Sequence, residues 1–229
     1  MKDYNTLSHL FAVLKNPKQS DFDDIAISLM RNFQIKKTEI NSFGTHNVQY
    51  KIVELEFYLY NLETNDIPTY NRDCVAGQWF FHRSGVDIAF QTLREGNELT
   101  QFGGILIRGL EKTVDGEFAG YIGGPQRCCF ELFNNTEFFP ELTVYPSEGQ
   151  FSIYKGQRVR ISHDNGTNNN FRYFSSIPSA QWETPRLQIF EKKINGIYHV
   201  IKDLKSVKYA DAAQSDKGGF VEGIRVYPI

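Results

Sequence analysis

Residues 50–58 read YKIVELEFY. β-Branched and aromatic residues dominate the stretch, which suits a pleated strand. Alternation puts Val53, Leu55 and Phe57 on one face and Glu54, Glu56 and Tyr58 on the other. Two carboxylates so placed have two explanations. A half-buried strand turns its polar face to water, or a carboxylate lines a cleft and serves a reacting centre. Pattern alone leaves both open.

Working outward, the strand lies in the longer run VQYKIVELEFYLY, joined by the turn NSFGTHN to the strand QIKKTEI. Upstream, residues 6–15 and 20–33 read as helices. In SDFDDIAISLMRNF, Ser20 is the expected cap, Asp23 and Asp24 favour the first turn, and Phe22, Ile25, Leu29 and Phe33 recur at helical spacing. Residues 61–76 are polar and irregular, with Pro68 among them. WFFHRSGVDIAFQ, FGGILIRGLEK and GEFAGYIGG make a β-rich run bounded by glycines, and GPQRCCFELF starts a helix with Pro125 in its first turn. From residue 142 the chain reads as short strands: TVYPS, QFSIYKG, QRVRISHD, FRYFSS, RLQIFEKKI, YHVIKDL and VEGIRVYP, with DNGTNNN at 164–170 as a loop. No repeat or linker divides the chain. The expectation is one α+β domain over residues 1–229, rich in antiparallel strand.

The 229 residues are 41% hydrophobic and 23% charged, enough for a core in one domain. Aromatics are abundant, with 19 Phe, 12 Tyr and 2 Trp, as a β-rich core or an aromatic pocket would use. A net charge of −2 gives no global pull toward nucleic acid, so such a ligand needs a local basic face. The three cysteines, Cys74, Cys128 and Cys129, show no zinc spacing with the five histidines, and no metal site is expected. MKDYNTLSHLFAVLKN lacks the apolar core and cleavage site of a signal peptide, and no run is long enough to span a membrane. A reduced, cytoplasmic protein is the expectation.

Other polar residues interrupt apolar runs. His82, Arg83 and Ser84 follow WFF and precede Gly85, Val86 and Asp87, as a bulge, a sharp turn or a polar pocket wall would have it. Arg108 is the one cation of GGILIRGL, either at a strand end in solvent or paired with a buried anion. Glu54, Glu56 and Asp87 are the candidate partners. The basic residues Arg31, Lys36 and Lys37, then Lys155, Arg158, Arg160 and Arg172, read singly as solvated strand faces. No P-loop, dinucleotide fingerprint or nucleophile elbow is present.

Together these pieces resemble one family. YKIVELEFYL resembles the I-V-E-T-E-A-Y strand of the alkyladenine (3-methyladenine) DNA glycosylases, and GGILIRGLE their V-L-L-R-A-L-E strand. GGPQRCCFELF is similar to their S-G-P-S-K-L-C-Q-A-L segment, and RVRISHDN with NNFRYFSSIPSAQ to their R-V-G-V and P-L-R-F-Y-V-R-G-S-P ending. Order and spacing agree over residues 20–180 or so. The resemblance implies a curved antiparallel sheet with flanking helices, and a monofunctional, monomeric DNA-repair enzyme without cofactor or lyase activity. Such an enzyme flips a modified base from DNA and hydrolyses its N-glycosidic bond. Carried over, Glu56 is the general base, Tyr58 stacks on the base, Phe81 forms the opposite wall and Arg108 lies beside the catalytic centre. Gln91 falls near the family's pocket Asn, and Tyr70 is nearest to its pocket His. Ser84 stands where the family inserts a Tyr into the duplex, which leaves wedging to His82 or Arg83. His82 and Asp87 add polar groups to the pocket wall. Single-stranded DNA or a free nucleoside is an alternative substrate, and a non-catalytic module binding modified nucleic acid is an alternative role.

Overall fold

The structure is a computed structural model. It describes Leu10, Phe11 and residues 17–145, 153–156, 158, 171–175, 190–194, 197–201, 219–221 and 224–228. The helix expected at 6–15 apart from Leu10 and Phe11, the strand QRVRISHD apart from Arg158, and the loop 164–170 lie outside the described residues.

The helical spacing of Phe22, Ile25 and Leu29 folds into α1 (Gln19–Asn32), which buries all three together with Ala26 and Met30. Lys18, not Ser20, takes the N-cap position. Asp21 reaches back to accept the Lys18 backbone N–H at 2.8 Å, so the helix begins before Ser20 and leaves that residue in its first turn. Phe33 passes directly into β1 (Phe33–Asn41), which a tight turn at Ser42 and Phe43 joins to β2 (Gly44–Asn61). Gly44 carries the turn's positive φ of 132°.

β3 (Trp79–His82) and β4 (Gly85–Ala89) form a hairpin that turns at Arg83 and Ser84. The interruption of apolar character there is thus a turn. A Cβ on Gly85 would stand 2.8 Å from the Pro125 carbonyl oxygen, so this turn approaches the helix start too closely for a side chain. The short β5 (Leu93–Glu95) precedes β6 (Glu98–Val114), which pairs along nearly all of β2. β7 (Glu117–Gly123) folds back on β6 and leads into α2 (Pro125–Phe133), with Pro125 in its first turn.

β8 (Glu141–Val144) pairs with β1, and β9 (Ile153–Gly156) with β10 (Arg172–Ser175), which continues the sheet beside β2. β11 (Phe190–Ile194) and β12 (Ile197–Ile201) form a separate pair. β13 (Gly219–Val221) and β14 (Ile224–Pro228) form a hairpin that adds to β9. Every pairing among the described strands is antiparallel. The chain is a mixed α+β protein built mostly on one antiparallel sheet of twelve strands.

The apolar face of the sheet carries Leu55, Phe57, Leu59, Ile88, Phe90, Ile105 and Ile107, all buried. α1 packs on it, with the Phe22 ring 5.0 Å from Phe57 and 4.8 Å from Phe171. α2 contributes Cys128 and Leu132 to the same core. The opposite face of β2 is therefore free to carry Glu54, Glu56 and Tyr58. No helix among the described residues is long and apolar enough to cross a membrane.

Candidate active site

The pairing of β2 with β6 slips beside the two glutamates. Ile52 pairs with Leu110, Glu54 with Gly109 and Leu55 with Ile107, which leaves Val53 and Arg108 without a cross-strand partner. Irregularities of this kind re-aim a side chain. Gly109 makes room for it, since a Cβ there would stand 2.9 Å from the Glu54 Cβ and 3.2 Å from Val53 Cγ2.

Arg108 bridges both carboxylates. Its Nε donates to Glu54 Oε1 at 3.0 Å and its Nη1 to Glu56 Oε2 at 3.1 Å. Burial alone would lower the Arg108 pKa; the Glu54 and Glu56 charges outweigh that and raise it, so the guanidinium stays charged. From the other side, β10 sets Arg172 directly opposite Glu56. Arg172 Nε donates to Glu54 Oε1 at 2.8 Å, and its Nη2 lies 2.7 Å from the same oxygen. Glu54 thus holds two arginines, and one of them holds Glu56.

Tyr58 donates its hydroxyl to Glu56 Oε2 at 2.9 Å. Burial first, and then the Glu56 carboxylate, push the Tyr58 phenol well above its ordinary range, so it keeps its proton and acts as a donor. The Arg158 guanidinium lies 4.6 Å from the Tyr58 ring centre. It is fixed by Asp66 at 2.9 and 2.7 Å and by the Phe57 carbonyl at 3.1 Å. Asp66 also accepts from Thr69 Oγ1 at 2.7 Å and from the Leu59 N–H at 3.3 Å, which ties the irregular segment after β2 against this site.

Glu56 is fully buried, and its Oε2 is used twice. Its Oε1 accepts no hydrogen bond from the described residues. An acceptor left unsatisfied in this way costs about 1–3 kcal/mol, a cost that calls for a role.

A second cluster lies on the same face. Directly opposite residues share a face; Glu56 is opposite Leu106, Leu106 opposite Asp87, and Asp87 opposite Phe80. Asp87 is buried and accepts from Arg72 Nη1 at 2.5 Å and from His82 Nε2 at 2.9 Å. The Ser84 N–H donates to His82 Nδ1 at 3.2 Å, which fits the tautomer that carries its proton on Nε2. The Tyr70 ring lies 4.7 Å from His82, and Arg72 lies 4.0 Å above the Phe80 ring.

Glu56, Tyr58 and Arg108 are therefore in direct contact, and Tyr70, His82 and Asp87 gather two strands away on the same face. Phe81 is not with them. It alternates to the opposite face, where its ring lies 4.7 Å from Phe133 and 6.5 Å from Phe139, so Phe80 and not Phe81 faces the Glu56 row. Arg83 is exposed at the turn, with its carbonyl accepting from Gln126 Nε2 at 3.1 Å. Gln91 is engaged locally, accepting from the Ala76 N–H at 3.3 Å and donating to the Thr92 carbonyl at 3.2 Å.

Arg158 and Arg172, read from the sequence as solvated, are buried at 3% and 1% exposure because carboxylates across the fold hold them. Arg72 and Asp66 come from the polar irregular segment, where nothing in the local pattern marks them. In all, Arg72, Arg108, Arg158 and Arg172 balance Glu54, Glu56, Asp66 and Asp87. No group of three His, Cys, Asp or Glu side chains among the described residues could hold a metal ion.

Comparison of the chain with protein-family models, curated proteins and solved structures finds no match.

Proposed function

We propose that this chain is an N-glycosyl hydrolase of the alkyladenine-glycosylase type, acting on a modified base flipped from DNA, with Glu56 as the general base. The observation that carries the reading is the state of Glu56. Its carboxylate is oriented by Arg108 and Tyr58 through one oxygen, and the other oxygen accepts no hydrogen bond from the described residues. A water held on Oε1 would give its proton to Glu56 as its oxygen attacks C1′. The C1′–N bond breaks and its electron pair leaves with the base. The carboxylate also offsets the oxocarbenium charge that develops on the sugar. Arg108 keeps Glu56 in place, Glu54 and Arg172 keep Arg108 in place, and Tyr58 offers its ring to the base.

One observation favours a second reading on the same chemistry. Phe81 faces away from Glu56, and the β3–β4 turn presents Arg83 and Ser84 in place of an aromatic wedge. A single-stranded or free nucleoside substrate needs no wedge. Release of free base from duplex DNA, single-stranded DNA and nucleosides, each carrying hypoxanthine, ethenoadenine or 3-methyladenine where the form is stable, tests both. Release from duplex supports the first reading, and release from nucleoside or single strand alone supports the second. No release from any of them refutes hydrolysis and leaves a binding module.

A further inference from the structure

Arg72 is buried at 3% exposure, yet its Nη2 has no hydrogen-bond partner among the described residues. Its other donors are committed: Nε to the Tyr70 carbonyl at 3.0 Å and Nη1 to Asp87 Oδ2 at 2.5 Å. The Phe80 ring 4.0 Å away fixes the plane. A buried guanidinium held at three points with one nitrogen unspent is unusual, because buried donors are nearly always paired.

Its position gives the unspent nitrogen a use. Gly104 is directly opposite Tyr58 in the β2–β6 pairing. A Cβ on Gly104 would stand 2.8 Å from Arg72 Nη1. Opposite Cβ positions are roughly 5 Å apart, so the Arg72 head lies within about 8 Å of the Tyr58 Cβ, on the same face. Gly104 is what lets it lie there; any side chain would also meet the Ile88 carbonyl oxygen at 2.9 Å and Asp87 Cβ at 3.0 Å.

The charges beside Tyr58 point to a ligand type. Arg158 already lies over the ring, and on the Gly104 side stands Nη1 of a second guanidinium, that of Arg72, whose Nη2 is the unspent atom. A cationic, alkylated adenine carries an exocyclic amino group and brings Nη2 no carbonyl acceptor. A neutral base with an exocyclic carbonyl would give Nη2 the acceptor it lacks, as arginine does with base oxygens in general.

We infer that Arg72 is the base-reading residue of this site, selecting a neutral base that carries an exocyclic carbonyl over a cationic, alkylated one. This rests on the reading of Tyr58 as the stacking residue, and it names the base class that reading leaves open. It does not require catalysis.

The test is equilibrium binding of three nucleosides to the full chain: inosine, which is neutral with a carbonyl; adenosine, neutral without one; and 1-methyladenosine, cationic. Inosine is expected to bind about ten-fold or more tightly than either of the others. Arg72→Lys keeps the charge beside Asp87 but loses the fork, and should reduce that advantage to within about three-fold. Equal binding of inosine and adenosine, preference for 1-methyladenosine, or no binding of any nucleoside overturns the inference. So does an unchanged inosine preference in a folded Arg72→Lys protein. If that variant does not fold, the wild-type order of the three nucleosides decides alone. Inosine preference without release of hypoxanthine counts against hydrolysis and in favour of Arg72 as base reader.

Discussion

Arg108 Nη1 donates to Glu56 Oε2 at 3.1 Å across two strands whose pairing slips between Ile52 and Leu55. A regular ladder would pair Arg108 with a β2 residue and hold its side chain in the row. The slip frees it to lie between Glu54 and Glu56, and the site depends on that irregularity.

Gly109→Ala tests the slip. The added methyl meets the Glu54 Cβ at 2.9 Å, a contact that something must relieve. Overpacking of this kind costs about 1–3 kcal/mol, so the melting temperature should fall while the chain still folds. The larger effect is expected on base release, because the displaced Glu54 carries Arg108 with it. Thermal unfolding and single-turnover release measured together check this, and unchanged release at a lowered melting temperature would contradict it.

Arg172→Met should be strongly destabilising. It removes a cation from Glu54, which is 2% exposed, and leaves a buried charge less compensated. Breaking a buried pair costs about 3–5 kcal/mol. Adding Glu54→Gln in the same chain should recover much of the loss, since the remaining Arg108 can donate to the amide oxygen. Urea unfolding of the single and double variants measures it.

Asp66→Asn should loosen the segment between β2 and β3 without disturbing the core. Asp66 holds Arg158 through two hydrogen bonds and also accepts from Thr69 and the Leu59 N–H. Limited proteolysis should then cut within residues 61–76 at a faster rate than in the wild type. Equal cutting rates would show that the segment is held elsewhere.

Acid should weaken the contact between α2 and the sheet. Glu131 on α2 accepts from Tyr50 at 2.9 Å and lies 2.7 Å from Lys112 Nζ. Burial alone would raise the Glu131 pKa; Lys112 and Tyr50 outweigh it and hold the carboxyl below its ordinary value of 4.5. A depressed folded pKa stabilises the fold above the unfolded value, and this contribution is lost as pH falls through the folded one. Lys112→Met should therefore raise the pH at which acid unfolds the protein. A midpoint that does not move would contradict the assignment.

The legible parts of the fold were the local ones. The helical spacing in α1, the long strand through Glu54 and Glu56, and Pro125 at a helix start are all periodic or capping signals carried by neighbouring residues. The site was legible where strand alternation marks a face, hence Glu54, Glu56 and Tyr58, and where a lone cation interrupts an apolar run, hence Arg108 beside Glu54 and Glu56. Phe81 was misplaced because its neighbour Phe80 is equally aromatic, and only the β3–β4 register decides which of them faces Glu56. Arg72 carries no mark in the local pattern, and Arg158 and Arg172 read as solvated, because a buried arginine reads like a solvated one until its carboxylate is found. Arg158 pairs with Asp66, 92 positions earlier in the chain. Such partners are set by tertiary packing and leave no mark in the local pattern.

The central claim is that Glu56 activates water. Glu56→Gln keeps the size of the side chain and an oxygen for Tyr58 and Arg108, so the fold should persist. Single-turnover release of free base, wild type against Glu56→Gln, tests the claim on whichever substrate the wild type cleaves. The account predicts release by the wild type and a loss of about 10²–10⁴-fold in the variant. Equal rates in the two folded proteins would contradict it.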